Sequence, residues 1–113
     1  MLKTFALYDG NQNDRQVGIF TYDVESKIYS ITINEDVEKD KLPLSLEGFV
    51  NKQKYVLSNE NTLRWIRERI CPPGRHNIRN ILKDNEIKEY NEFELLMLTK
   101  ARCDKDDLYL VEK

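Results

Sequence analysis

The sequence predicts an α+β fold in which strands come first, helices follow, and one domain spans residues 1–113. Three observations carry this reading. Lys27 to Asn34 alternates strictly between two faces, Leu63, Ile66 and Ile70 form a helical stripe, and Cys71-Pro72-Pro73-Gly74 interrupts the helical part. Period-two alternation of β-branched and aromatic residues marks half-buried antiparallel strands, whereas apolar residues at i, i+3 and i+7 mark one side of a helix.

Lys3 to Tyr8 is the first expected strand, with Phe5 and Leu7 on one side. Gly10-Asn11-Gln12-Asn13-Asp14 is a dense turn signal, because these residues tolerate left-handed backbone or hydrogen-bond their own chain. Val17 to Tyr22 follows, then a second turn at Asp23-Val24-Glu25-Ser26. In the third strand Ile28, Ser30, Thr32 and Asn34 share one face, and Tyr29, Ile31 and Ile33 share the other. Connections this short imply a three-stranded antiparallel meander, one face of which needs a cover. Asp36 to Pro43 is a charged connector, and Pro43 argues against a central strand there. Leu44 to Leu57, anchored by Phe49, Val50, Tyr55, Val56 and Leu57, reads as an irregular segment or short edge strand. Residues 1–57 are thus expected to be mainly β and irregular, and 58–113 mainly helical.

Ser58 or Asn59 can cap a helix running to about Ile70, since a short side-chain oxygen satisfies free N–H groups of the first turn. Proline lacks the amide donor and restricts the residue before it, so the Cys71-Pro72-Pro73-Gly74 run stops that helix. A second helix is expected from Arg75 to Lys83, burying Ile78, Ile81 and Leu82. Asn91 can cap a third, about Glu92 to Lys100, with Glu92 and Glu94 at the positive end of its dipole. Phe93, Leu95, Leu96, Met97 and Leu98 make it apolar nearly all round, hence buried. Asp107 to Glu112 is expected as a short strand or extended tail on the core.

A length of 113 residues suits one core, and 40% hydrophobic content can fill it. The net charge of −2 argues against a dedicated nucleic-acid binder, because such domains are strongly basic. Charge is nevertheless uneven. Arg64 to Arg79 holds five arginines against one glutamate, and Asp84 to Lys113 holds nine acids against five bases. No apolar run approaches the roughly 18 residues of a membrane span, and Asp9 interrupts the N-terminus before a signal-peptide core can form. Cys71 and Cys103 read as small buried apolar residues, and the expected location is the cytoplasm.

No catalytic constellation emerges. The single histidine, His76, follows Cys71 by five residues across a proline turn, with nothing beyond that proximity to make them a nucleophile and base. Two cysteines 32 apart and one histidine fall short of a zinc site. Gly10, Gly18, Gly48 and Gly74 are scattered singly, which excludes both common phosphate-cradling motifs. Asp104, Asp106 and Asp107 lack the central glycine and closing glutamate of an EF-hand, and read as a solvated acidic turn with a helix-end or backbone role. No cofactor, no metal and no enzymatic activity are expected.

The most informative stretch is Trp65 to Arg75. Trp65 and Arg69 stand at i and i+4, so a helix lets the guanidinium lie on the indole face. Arg75 opens the next helix, where its charge is ill placed for the dipole and wants another partner. The set Trp65, Arg69 and Arg75 is either a structural clasp at the proline corner or an anchor for an acidic partner. Arg64, Arg67 and Arg79 form a candidate basic patch. A DNA-reading helix-turn-helix is disfavoured, because Asp84 to Tyr90 exceeds its turn and the third helix is acidic and apolar.

The pattern Trp65, Arg69, Pro72 and Arg75, followed by Ile78, Leu82 and Asp107-x-Tyr109, resembles a segment of small bacterial proteins from Clostridia and their mobile elements. It is also similar to the accessory segment preceding the kinase domain in some HipA-like serine/threonine kinases. The resemblance covers Leu63 to Val111, and the N-terminal strands are compatible with the β-rich subdomain of those toxins. The chain has no kinase lysine, catalytic loop or metal-binding Asp motif, so no catalytic residue carries over. The resemblance implies a free-standing relative of the accessory subdomain, of the kind that restrains the kinase in tripartite toxin systems. The expected role is a non-enzymatic protein-interaction or regulatory module, an antitoxin-like partner of a HipA-like kinase. The alternatives are a nucleic-acid-associated accessory protein acting through the Arg64–Arg79 patch, or a mobile-element inhibitor of a host factor. A protein partner is expected, nucleic acid and membrane are not.

Overall fold

Short turns between β-rich segments bring the first 33 residues into consecutive antiparallel pairs. A computed structural model describes residues 1–70, 74 and 77–113, so the proline corner Cys71-Pro72-Pro73 and the expected Arg75 and His76 lie outside the described residues. Strands β1 (Leu2–Asp9), β2 (Arg15–Asp23) and β3 (Ile28–Ile33) pair in sequence order, with Phe5 opposite Phe20 and Phe20 opposite Ile31. The alternation seen in β3 sorts as its pattern requires. Tyr29, Ile31 and Ile33 are buried, while Ile28 and Thr32 face solvent.

The meander is part of a larger sheet than the sequence suggested. Strands β4 (Val56–Leu57) and β5 (Leu108–Glu112) add to its edges, giving the order β4-β3-β2-β1-β5, antiparallel throughout. A two-residue strand and a chain-terminal strand carry too little local pattern to declare their partners, and pairing across some hundred residues is a tertiary decision. Leu44 to Leu57 departs most from expectation. It ends in the short edge strand the sequence allowed, β4, but opens with helix α1 (Leu44–Asn51), entered through Pro43 in extended backbone at φ −62°. Leu46 and Val50, at i and i+4, are buried, with Phe49 packed beside them. Proline pre-sets the backbone for a helix start, and that signal outweighs Gly48 inside the helix.

Helix α2 (Asn59–Arg67) begins as its cap predicts: Ser58 Oγ accepts the Asn61 amide at 3.2 Å. It stops three residues short of the expected Ile70. Helices α3 (Ile78–Asp84) and α4 (Glu92–Thr99) complete the set, the latter capped by Asn91, whose Oδ1 accepts the Glu94 amide at 3.0 Å. The core lies between one sheet face and α1, α2 and α4, with Phe20, Ile31, Leu46, Ile66 and Leu96 fully enclosed. A smaller cluster of Ile78, Ile87 and Leu95 joins it through Ile70 and holds α3. None of the helices among the described residues is long and apolar enough to cross a membrane.

One position in the sheet is sterically dictated. A Cβ at Gly18 would stand 2.5 Å from the Thr32 carbonyl oxygen, so β2 and β3 approach closely only because residue 18 has no side chain. Next to it the β1–β2 register shifts between Leu7 and Tyr8, leaving buried Val17 as the extra residue of a bulge.

Candidate functional site

The corner where α2 ends is built from residues far apart in sequence. Trp65 and Ile66 are buried on the core side of α2, and Arg69 emerges just past its last turn, its amide bonded to the Ile66 carbonyl at 2.9 Å. The Arg69 guanidinium lies 4.3 Å from the centre of the Trp65 ring, close enough for a desolvated cation–π contact. Its Nε donates to the Ala101 carbonyl at 2.7 Å, and an Nη donates to Asp106 Oδ1. The Arg69 side chain is only 2% exposed and that of Asp106 8%.

Ala101 presents its carbonyl because α4 terminates in two left-handed residues, Lys100 at φ 55° and Ala101 at φ 68°. Neither is glycine, so this ending carries strain that the surrounding contacts must hold. Asp106 Oδ1 also accepts the Leu108 amide at 3.1 Å, which orients the chain into β5. The acidic turn thus takes the backbone role its sequence suggested, at Asp106, but it is not wholly solvated. Asp106 turns inward to meet a cation 37 residues earlier, while Asp104 and Asp107 stay exposed. Trp65 Nε1 is buried without a hydrogen-bond partner among the described residues.

A cleft of about 780 Å³ opens against this corner, bounded by Asp9, the Lys41–Ser45 segment, and Glu68, Arg69 and Asp106. Asp9 is fully buried, yet both its oxygens are satisfied: Oδ1 accepts the Asn11 amide at 2.9 Å and Oδ2 accepts Gln12 Nε2 at 3.1 Å. Ser45 Oγ is buried without a partner among the described residues, and Leu44 at the rim is 89% exposed. The sequence reading missed this cleft because its walls come from four separated segments. Pro43 ahead of Leu44 and Ser45 was the one local signal, as a helix start.

The structure brings Trp65 and Arg69 together, and Arg75 lies outside the described residues. Arg64, Arg67 and Arg79 are all exposed, but they are not equivalent cations. Arg67 Nε donates to Glu92 Oε2 at 2.7 Å, a bond that raises the arginine pKa further and offsets its charge. Glu92 sits in the first turn of α4, where the helix dipole also favours it. Among the described residues no group of three or more His, Cys, Asp or Glu side chains could hold a metal ion. Comparison of the chain with protein-family models, with curated proteins and with solved structures found no match.

Proposed function

We propose that this chain is a single-domain, non-enzymatic protein-interaction module working in the cytoplasm, an antitoxin-like partner that restrains a HipA-like kinase. The observation that carries the reading is the cleft beside Arg69. It combines charges of both signs with an exposed leucine at its rim, the mixture of apolar anchor and polar surround that protein interfaces use. The resemblance over Leu63 to Val111 supplies the class of partner, and Arg69, which belongs to that resemblance, lines the cleft with the buried Trp65 ring packed on its guanidinium. The nucleic-acid reading loses support, because Arg67 already has a carboxylate partner in Glu92 and the whole chain is net acidic.

The test is a binding and autophosphorylation assay with a HipA-like kinase encoded beside this chain. Micromolar binding and slowed autophosphorylation are expected, both weakened by Leu44→Asp while the fold stays intact. Failure to bind such a kinase, or binding indifferent to Leu44→Asp combined with Lys105→Glu, a charge reversal at another residue lining the cleft, overturns the reading. Submicromolar DNA or RNA binding at physiological salt, lost on replacing Arg64, Arg67 and Arg79, would favour the alternative instead.

A further inference from the structure

Strand β5 closes one edge of the sheet, and it is attached differently from the strands inside. Its single strand neighbour is β1, over five paired positions from Phe5–Glu112 to Asp9–Leu108, whereas β1 pairs with β2 over eight. In an antiparallel sheet, successive residues of a strand turn their backbone groups to opposite neighbours. The Lys113 amide donates to the Thr4 carbonyl at 3.1 Å, so Thr4, Ala6 and Tyr8 face β5 while Lys3 and Phe5 face β2. On its outer side β5 meets no strand. Asp106 Oδ1 accepts the Leu108 amide at 3.1 Å and the Lys100 carbonyl accepts the Leu110 amide at 2.8 Å, both from the segment leading into the strand.

The ties of this segment run in two directions. Towards β1 and the turn after it go the ladder, the Gly10 amide bonded to the Asp107 carbonyl at 2.9 Å, and the Tyr109 hydroxyl bonded to Asp14. Towards the helices, Leu108 and Leu110 bury their side chains in the core. Arg69 is the one side chain of the helical half, among the described residues, that bonds to the segment. Its guanidinium holds both ends of the turn, the Ala101 carbonyl and the Asp106 carboxylate, and Asp106 in turn holds Leu108. Turn and strand thus share one attachment and must give way together. The segment is entered through the left-handed Lys100 and Ala101, a pair of conformations that L side chains disfavour and that favours no tight closure by itself.

We propose that residues 101–113 form a latch that opens and recloses as one unit while the β1–β2–β3 meander and its helices stay folded, with the Arg69–Asp106 pair as its catch. The open form uncovers the β5 side of β1, where Ala6 and Tyr8 lose their backbone partners, and empties the places of Leu108 and Leu110 in the core. The latch belongs to the free chain and does not depend on the kinase-partner reading.

Native-state hydrogen exchange of the full chain, followed amide by amide by NMR at low denaturant concentrations, tests it. Ala6, Tyr8, Tyr109, Leu110 and Val111 are expected to share one protection factor, about tenfold or more below that of Phe5, Phe20 and Thr21. Their exchange should depend only weakly on denaturant, because the opening exposes little surface. Ile31→Val trims a methyl group inside the part that stays folded. It is expected to lower the protection of Phe5, Phe20 and Thr21 about threefold or more and to leave the latch amides unchanged. Asp106→Asn keeps an acceptor for Leu108 but removes the charge opposite Arg69, and is expected to lower protection of the latch amides about tenfold or more. Equal protection in the two sets, a latch that responds to Ile31→Val as the meander does, or latch amides untouched by Asp106→Asn overturns the proposal. So does a gradient of protection along β5 in place of one shared value, which is residue-by-residue fraying.

Discussion

Arg69 shows how one side chain can organise residues that are distant in the chain. Burying a cation and a carboxylate costs much of what their attraction returns, so the pair's net contribution is modest while it is whole. Breaking it is different. Arg69→Ala leaves the 8% exposed Asp106 carboxylate without its cation and the Trp65 ring without its cover. The expected loss is about 3–5 kcal/mol by denaturant unfolding, above the roughly 1–2 kcal/mol of an exposed charged hydrogen bond. Arg69→Met combined with Asp106→Leu is expected to recover most of that loss, since neither buried charge then remains unpaired. A single substitution as mild as a surface change would contradict this account of the corner. The spacing of Trp65 and Arg69 was legible as a helical i, i+4 pair. Asp106 was not, because nothing local to a run of acidic residues tells which one will turn inward.

At the scale of elements, the strands with strong alternation and the helices with side-chain caps were readable. Ser58 and Asn91 both accept first-turn amides, as their residue type and position suggest. Helix α1 escaped because it has no side-chain cap, is eight residues long, and includes Gly48, leaving Pro43 and the Leu46/Val50 pair as its only signals. Strand β5 was left open between strand and tail because its apolar run fits either, and only its ladder with β1 decides. The close approach of β2 to β3 makes a further expectation. Gly18→Ala should destabilise by about 1–3 kcal/mol, because the new methyl meets the Thr32 carbonyl and Ile33 Cα, which are backbone and cannot rotate away. Unfolding midpoints compared with those of Gly48→Ala supply the control, since nothing among the described residues stands within 4 Å of a Cβ at Gly48. Equal effects at both positions would dismiss the steric explanation.

The molecule as a whole should resist ionisation at Tyr29 and Tyr109. Burial pushes the Tyr29 hydroxyl well above the ordinary range, aided by the Tyr22 ring stacked on it at 4.4 Å and by the Glu92 charge. Tyr109 is raised because its hydroxyl donates to Asp14 Oδ1 at 2.9 Å, an interaction its phenolate would lose. The sign follows from linkage. Below the unfolded tyrosine pKa of about 10 both states are protonated and stability is unaffected, and above it the unfolded chain ionises first and gains. Stability should therefore fall as pH rises past about 10. A spectrophotometric titration should show a late-ionising fraction whose appearance coincides with unfolding. Six tyrosines titrating together at the ordinary value in the folded protein would refute it.

What the sequence determined by itself was the class of fold, the three-strand meander, the inward face of β3, the capped starts of α2 and α4, and the stacking geometry open to Trp65 and Arg69. Each follows from interactions spanning four residues or fewer, or from a period that repeats within one segment. Tertiary structure alone decided the pairing of the two outer strands, the inward turn of Asp106 and the cleft walled by four segments. Those features join residues tens of positions apart. Their pairing depends on which surfaces must be buried together, and no local pattern encodes it.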